Sequence, residues 1–212
     1  NFPYMGCKKI TICNNIPARL FRISFSGELA YEIAVPSRYG NSMFKVLMDA
    51  GSEFNVVAYG TEALGVMRIE KGHAAGNELN GQITAQNLGL EKMMSKKKDF
   101  VGNVLSRRSE LNKESIVKLV GFKPVNKEIE LKAGAHFISL GKEACTKNDE
   151  GWMSSVAFSP SLNHSIGLGF IKNGNNRIGE IVNAVDPLRK SNIEVEIVSP
   201  HFLDPEGERL RE

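Results

Sequence analysis

The chain has 212 residues and a formal net charge of +3, from 27 lysines and arginines against 24 aspartates and glutamates. Its 42% hydrophobic and 24% charged residues are typical of a globular protein of one large or two small domains, and they exclude a disordered tail, a collagen-like fibre and an integral membrane protein. So small a charge predicts neither a nucleic acid nor a membrane partner. Three scattered cysteines, Cys7, Cys13 and Cys145, indicate a reducing, cytoplasmic compartment rather than a disulfide scaffold.

The first residues carry no targeting signal. The chain opens Asn1-Phe2-Pro3-Tyr4, without an initiator methionine, a basic segment or an apolar run of signal-peptide length. Apolar and aromatic residues lead directly into Lys8-Lys9-Ile10, a pattern typical of the interior of a fold. We therefore expect this sequence to be part of a longer polypeptide.

The segment 21–35 alternates between apolar side chains at odd positions and polar or small ones at even positions. This period of two predicts a half-buried strand or hairpin, with an interruption at Ser26-Gly27. Glu32 falls on the even face, between Ala30 and Ala34.

Two helices are predicted after that strand. Ser37 is a suitable N-cap for a helix through about Ala50, with Met43, Phe44 and Leu47 facing inward and Gly51 as its end. The second helix begins at Thr61 and ends at Gly72. We interpret 73–94 as a long excursion with one short helix, and expect a further short helix to about Arg108.

The second half of the chain has a different sequence pattern. Strand-like runs separated by Gly, Pro, Asn and Asp predict a small antiparallel barrel or sandwich. We place a domain boundary at 112–116, which gives domains over 1–114 and 115–212. The predicted strands cover 116–123, 135–140, 152–158, 165–172, 177–184 and 193–199.

Motifs for the common chemistries are missing from the sequence. The four histidines stand in no recognisable motif, and without a CxxC or HExxH pattern no metal site is expected. Gly167-Leu168-Gly169 lacks the third glycine and the following helix of a dinucleotide-binding loop. The run Lys96-Lys97-Lys98 is interpreted as a solvated helix entry; its functional alternative is a landing site for an anionic tail such as a polyglutamate.

Glu32 is the most informative candidate. Its small neighbours would leave the carboxylate at the floor of a shallow slot, where it can accept two parallel N–H bonds from a planar edge such as that of a guanidinium or a pterin. The alternative is a strand carboxylate in an ion pair with Arg22 or Arg68. The pattern alone leaves both open.

Several ordered blocks resemble the aminomethyltransferase family, which contains the T-proteins of the glycine cleavage system. The most specific is Ser-Gly-Glu-Leu-Ala-Tyr-Glu over 26–32, and the resemblance extends over almost the whole chain. It implies an α+β fold: an antiparallel sheet with packed helices, forming the second half of the family's folate-binding domain, followed by a small C-terminal β-barrel. The blocks lie at 2–7, 22–32, 59–64, 67–72, 98–102 and 159–162.

Within the family, the chain is most similar to the oxidase branch, the alpha subunits of heterotetrameric sarcosine oxidases. Two segments, 59–63 and 204–210, carry this finer resemblance. It implies a tetrahydrofolate-binding module that captures a one-carbon unit, with FAD, FMN and NAD held elsewhere in the full enzyme. The implied partners are tetrahydrofolate, the beta, gamma and delta subunits and the N-terminal part of the alpha subunit.

The resemblance also implies particular site residues. Glu32 matches the strand glutamate that binds the pterin edge, which agrees with the slot argument, and Tyr31, Glu28 and Arg68 lie in matching blocks as further candidates for binding the cofactor. The family's catalytic aspartate lies outside this chain, so no catalytic residue is assigned and the isolated chain is expected to be inactive.

Two departures favour the oxidase branch over an ordinary T-protein. Leu64 stands where those enzymes carry a folate-contacting arginine, and no tyrosine follows Tyr59. The alternatives are a related aminomethyltransferase or dimethylglycine dehydrogenase-like enzyme and, in another class, a non-catalytic folate-binding or assembly module. For a chain that is half of a domain, we expect exposed apolar surface around Phe2, Tyr4 and the odd positions of 21–35.

Overall fold

The computed structural model describes residues 2–113 and 115–212, in two compact units. One is discontinuous and consists of the described residues of Asn1–Leu64 together with Asp204–Glu212; the other is continuous, Gly65–Leu203. The boundary predicted at 112–116 differs from this division and stays a prediction; Glu114, within it, lies outside the described residues.

The discontinuous unit contains a three-stranded antiparallel sheet. Its strands, in spatial order, are β1 (Cys7–Ile12), β2 (Ile16–Phe21) and β3 (Glu32–Ala34). Three consecutive residues with positive φ, 13–15, turn the chain between β1 and β2. A sharp reversal of this kind brings the two strands side by side without a longer loop.

Of the strand or hairpin predicted over 21–35, only Phe21 and Glu32–Ala34 lie in strands, which pair antiparallel, and the interruption predicted at Ser26-Gly27 is longer than expected. Residues 22–31 are irregular, with Gly27 at φ 90° and its backbone N–H donating to Ser24 Oγ at 2.9 Å. The register therefore pairs Phe21 directly with Glu32. These two side chains share a face of the sheet, although simple alternation predicts that they lie on opposite faces.

The two faces of the sheet differ in burial. Ala18 is buried, and Ile10, Ile12 and Leu20 beside it on the same face are half-buried. The other face is exposed apart from Phe21, which is half-buried. We call this surface the Glu32 face; its members are Cys7, Lys9, Thr11, Pro17, Arg19, Phe21, Glu32 and Ala34.

The first helix, α1 (Gly40–Gly51), follows a 3₁₀ turn at Ser37–Tyr39. Ser37 makes no capping hydrogen bond, so the predicted N-cap is wrong, whereas the helix and its end at Gly51 are confirmed. The inward orientation predicted for Phe44 and Leu47 is also wrong, because these side chains are 55% and 47% exposed. Within the discontinuous unit, the described residues leave this side of α1 largely uncovered.

The second helix, α2 (Thr61–Lys71), has the predicted bounds and is followed by Gly72 at φ 77°. A Cβ atom at Gly72 would lie 2.3 Å from the carbonyl oxygen of Pro200, so only glycine fits this approach. The carbonyl oxygen of Glu70 accepts hydrogen bonds from the backbone N–H groups of Phe202, at 2.9 Å, and Leu203, at 3.0 Å. The first and last segments of the continuous unit are thereby held together.

The excursion after α2 contains a 3₁₀ turn at Glu91–Met93, and a short helix, α3 (Asn103–Ser106), follows. The six strands of the barrel come next, close to their predicted positions. They form a closed antiparallel barrel in the order β4-β7-β6-β5-β8-β9. The strands are β4 (Val117–Pro124), β5 (His136–Ser139), β6 (Asp149–Ser159), β7 (His164–Lys172), β8 (Ile181–Asp186) and β9 (Ser191–Val198).

The barrel holds most of the buried apolar side chains. Phe122 and Phe137 stack at its centre with ring centroids 4.0 Å apart. The predicted α+β fold with a C-terminal barrel is thus confirmed. Among residues 2–113 and 115–212, no helix has the length and apolar character needed to cross a membrane.

Candidate ligand-binding site

Glu32 is the first residue of β3 and lies on the exposed face of the sheet. Its position opposite Phe21 and two residues before Ala34 leaves small or partly buried neighbours on both sides. An ionised carboxylate is an acceptor only and can take two parallel N–H bonds. Glu32 is therefore positioned to accept bonds from the planar edge of a ligand on this face.

The structure shows neither of the two ion pairs considered for Glu32, with Arg22 or with Arg68. Arg22 is 5% exposed, and its Nη1 donates to the carbonyl oxygen of Phe2 at 2.7 Å. Its Nε and Nη2 are buried and have no partner among the described residues. Arg68 forms an ion pair with Glu78 instead. Among the described residues, neither arginine forms an ion pair with Glu32.

Two further predicted residues lie near Glu32 in the sequence. Tyr31 precedes it and is 49% exposed. Glu28 forms an ion pair with Arg209 at 3.2 Å, with both side chains about half exposed. A surface ion pair of this kind contributes little to stability, so Glu28 can leave Arg209 and contact a ligand at little energetic cost.

Arg68 lies in a different chemical setting, inside the continuous unit. Its Nη1 donates to Glu78 Oε2 at 2.9 Å, and its Nη2 donates to Ser155 Oγ at 2.7 Å. Ser155 in turn donates to Glu78 Oε1 at 2.7 Å, and Ser154 donates to the same oxygen. The guanidinium is therefore committed to a buried network inside the protein.

Glu78 is the centre of this network and is fully buried. Burial by itself raises the pKa of the Glu78 carboxyl. The hydrogen bonds from Ser154, Ser155 and the backbone N–H of Ala75, together with the charge of Arg68, outweigh that effect and hold its pKa below the usual range. The carboxyl is therefore ionised at neutral pH.

The sequence reasoning missed Glu78 and the cationic members of the Glu32 face. Lys9 and Arg19 lie directly opposite each other on β1 and β2. Correct pairing of 7–12 with 16–21 would have shown them, because Asn14-Asn15 between the two runs is a turn signal. Glu78 follows a segment without periodicity, and nothing in the sequence pattern connects it to Ser154 and Ser155.

Comparison with known families places the chain in one class of fold. Residues 1–98 match the GCVT N-terminal domain, and residues 118–204 match the glycine cleavage T-protein C-terminal barrel domain. A solved structure, the glycine cleavage system aminomethyltransferase T of Bartonella henselae, superposes with a TM-score of 0.77 at 21% identity, over 96% of this chain and 53% of that one. The fold is that of the aminomethyltransferases. The chain belongs to the glycine cleavage T-protein family.

Curated relatives refine this picture. The chain is 41% identical, over 99% of its length, to the sarcosine oxidase subunit alpha of Rhizobium meliloti. It is also 30% identical, over 89% of its length, to an aminomethyltransferase of Thermosipho melanesiensis. The chain spans 21% of the first relative and 48% of the second, so it corresponds to a part of each.

Proposed function

We propose that this chain is the tetrahydrofolate-binding part of a sarcosine oxidase-type alpha subunit. In the overall reaction, sarcosine, dioxygen and tetrahydrofolate give glycine, methylene-tetrahydrofolate and hydrogen peroxide. The redox chemistry of this reaction would be supplied by a flavin held elsewhere in the enzyme. This chain's residues bind and orient the folate that receives the one-carbon unit.

The observation that carries the proposal is the similarity to sarcosine oxidase alpha subunits over 99% of the chain, at 41% identity. The exposed carboxylate of Glu32 adds a local argument, because it is an acceptor without an ion-pair partner among the described residues. An acceptor pair of this kind suits the N–H edge of a pterin. The residues present therefore fit the ligand.

Three residues close together in the sequence are proposed to contact the folate. Glu32 accepts from the pterin edge, Tyr31 flanks it, and Glu28 is a further candidate contact, since its ion pair with Arg209 is exposed. Arg68 acts at a distance, by keeping its part of the fold in place through Glu78. The catalytic aspartate of the family is expected in another part of the polypeptide.

The remaining parts of the proposal concern the whole enzyme. FAD, FMN and NAD are bound outside this chain, and the partners are the beta, gamma and delta subunits and the rest of the alpha subunit. The domains are proposed to be 1–114, the second half of the folate-binding domain, and 115–212, the barrel. All three cysteines are free and exposed, in keeping with the cytoplasm as the compartment.

The test is a calorimetric titration of the complete polypeptide with tetrahydrofolate. Replacing Glu32 by Ala removes a charged hydrogen-bond partner, and we expect binding to weaken by about 1.5–3 kcal/mol. Glu53→Ala is the matched control, because Glu53 is an exposed glutamate in a 3₁₀ turn and not in the sheet. Unchanged affinity in Glu32→Ala would assign Glu32 to another role.

A second measurement separates the alternatives. Peroxide formation from sarcosine by the assembled enzyme supports the oxidase. Folate binding without sarcosine oxidation would favour an aminomethyltransferase or a dimethylglycine dehydrogenase-like enzyme. Absence of folate binding in the complete polypeptide would favour a non-catalytic assembly module.

A further inference from the structure

The Glu32 face carries two positive charges directly opposite each other. The register pairs Lys9 of β1 with Arg19 of β2, and Arg19 with Ala34 of β3. Like charges in directly opposed positions destabilise a strand pair. The ion pairs within 4.0 Å among the described residues include neither cation. The pair is therefore unfavourable as it stands, and an anion between the two side chains would relieve it.

These two cations line a cavity of about 580 Å³ in the discontinuous unit. The cavity lies where β3 ends and Val35-Pro36 continue beside Pro17-Ala18. Among the described residues, its lining contains no carboxylate; the other lining residues are Ile10, Pro17, Ala18, Ala34, Val35 and Pro36. A concave surface with two cations and apolar walls concentrates positive potential and favours an anionic group.

The distance between the cations and Glu32 indicates a ligand with two chemically different ends. Arg19 is the diagonal neighbour of Glu32 on the adjacent strand, and Lys9 lies one strand further. Two strand spacings and two residues of rise separate the Cα atoms of Glu32 and Lys9 by about 12 Å. A ligand that satisfies both ends has a planar N–H edge at one end and carboxylates at the other, joined by a spacer.

We propose that Lys9 and Arg19 form a carboxylate subsite for the far end of the ligand whose ring edge binds Glu32. This inference rests on the proposed function, and for a folate the far end is its glutamate. The Arg19 guanidinium can form two parallel hydrogen bonds with one carboxylate, and the Lys9 ammonium adds a point charge beside it. The subsite selects folates that carry glutamate over the same ring system without it.

The test compares two ligands on the complete polypeptide: tetrahydrofolate, and tetrahydropteroate, which has the same ring and benzoyl group but no glutamate. In the unmodified protein we expect tetrahydrofolate to bind more tightly. In the double variant Lys9→Gln, Arg19→Gln we expect roughly a 10- to 100-fold loss of tetrahydrofolate affinity, from the loss of charge-assisted hydrogen bonds. Tetrahydropteroate affinity should not change, and the selectivity should fall with increasing salt.

Lys8→Gln is the matched control. Lys8 is an exposed lysine on the same strand, but its side chain is on the opposite face of the sheet, so its removal should leave both affinities unchanged. Thermal unfolding of the double variant serves as the folding control. Because removal of opposed like charges does not cost stability, we expect its melting temperature to be equal or higher.

The outcomes distinguish this inference from the proposed function. If neither ligand binds the unmodified protein, the proposed function fails and the subsite fails with it. If both ligands bind but the double variant loses both equally or neither, the function stands and the subsite is wrong. The double variant could also have no effect while replacement of Lys96, Lys97 and Lys98 by Gln abolishes the selectivity. In that case the carboxylate subsite is the lysine run and not Lys9 and Arg19.

Discussion

Arg68 lies in a segment that resembles the family, and its side chain contacts Glu78, Ser155 and the backbone of His73 inside the protein. The side chains of Arg68 and Glu78 are nearly or fully inaccessible, at 9% and 0%, and their polar atoms contact Ser154, Ser155 and backbone groups. Removing one partner of a buried pair leaves the other charge without compensation. Replacing either residue is therefore expected to lower the free energy of unfolding.

For Arg68→Met we expect a loss of about 3–5 kcal/mol of unfolding free energy, since Glu78 stays buried without its cation. Urea denaturation of the variant measures this loss. Arg108→Met, at an exposed position in the same unit, is the control and should change the free energy little. A folded Arg68→Met protein with normal stability and lost folate affinity would instead make Arg68 a ligand contact.

Glu78 also predicts how stability depends on pH. Its folded-state pKa is lowered, so its contribution is fully present above the pKa of the unfolded carboxyl and is lost as the pH falls through the folded-state value. We expect the unfolding free energy to fall in acid, and to fall less steeply in Glu78→Gln. Denaturation curves at a series of pH values between neutral and strongly acid conditions measure the two slopes. Equal slopes would contradict the prediction.

At the level of elements, local pattern predicted the barrel well. Each of its strands is a short apolar run bounded by Gly, Pro, Asn or Asp, and those signals depend on neighbours in sequence. In the segment 21–35 the extent of the strands was misjudged, because the alternation in the sequence continues through the turn that Ser24 and Gly27 form. The site followed the same rule. Glu32 was proposed as a site residue from its own segment and stays a prediction, whereas Lys9 and Arg19 depend on a register that only the folded sheet fixes.

Gly167 and Gly169, which resemble part of a phosphate loop in the sequence, have a packing role in β7. A Cβ atom at Gly169 would lie 2.6 Å from the carbonyl oxygen of Trp152 and 3.0 Å from the ring of Phe122. We expect Gly169→Ala to lower the unfolding free energy by about 1–3 kcal/mol through overpacking. Gly76→Ala is the control, because nothing lies within 4 Å of its added Cβ. Thermal and urea unfolding compare the two variants.

On the scale of the whole molecule, the buried apolar residues are unevenly divided. Among the described residues, the discontinuous unit contributes only Ala18 and Leu210 to the buried apolar set, and the continuous unit contributes the rest. Apolar burial is the main stabilising term in folding. The continuous unit therefore has a buried apolar core that stabilises it, whereas the discontinuous unit has little apolar burial to stabilise it.

Hydrogen exchange of this chain should reveal the difference directly. We expect slow exchange in the barrel strands, such as β7, and much faster exchange in β1 to β3, which lack a buried core. Mass spectrometry of peptides from both units measures it. Equal protection in the two sheets would show that the discontinuous unit has a source of stability beyond apolar burial.

The exposed side of α1 predicts self-association of this chain. Phe44 and Leu47 on this helix are exposed, and so are Phe54 and Val57 soon after it; exposed apolar side chains of this kind favour association. Sedimentation at increasing concentration should show oligomers, and the double variant Phe44→Ser, Leu47→Ser should show fewer. Leu188→Ser, at a 95% exposed position in the other unit, is the control. A monomer at all concentrations would contradict this.

The hydrogen bonds from Phe202 and Leu203 to Glu70 have a consequence for the order of folding. Leu64 and Asp204 belong to one unit but are separated by about 140 residues, and bringing the ends of a flexible loop of that length together costs about 4 kcal/mol of chain entropy. Once Gly65–Leu203 has folded, its own ends are already adjacent, and this cost no longer applies to the flanking segments. The barrel unit should therefore fold first, and a chain cut within it should lose the sheet that carries Glu32 as well.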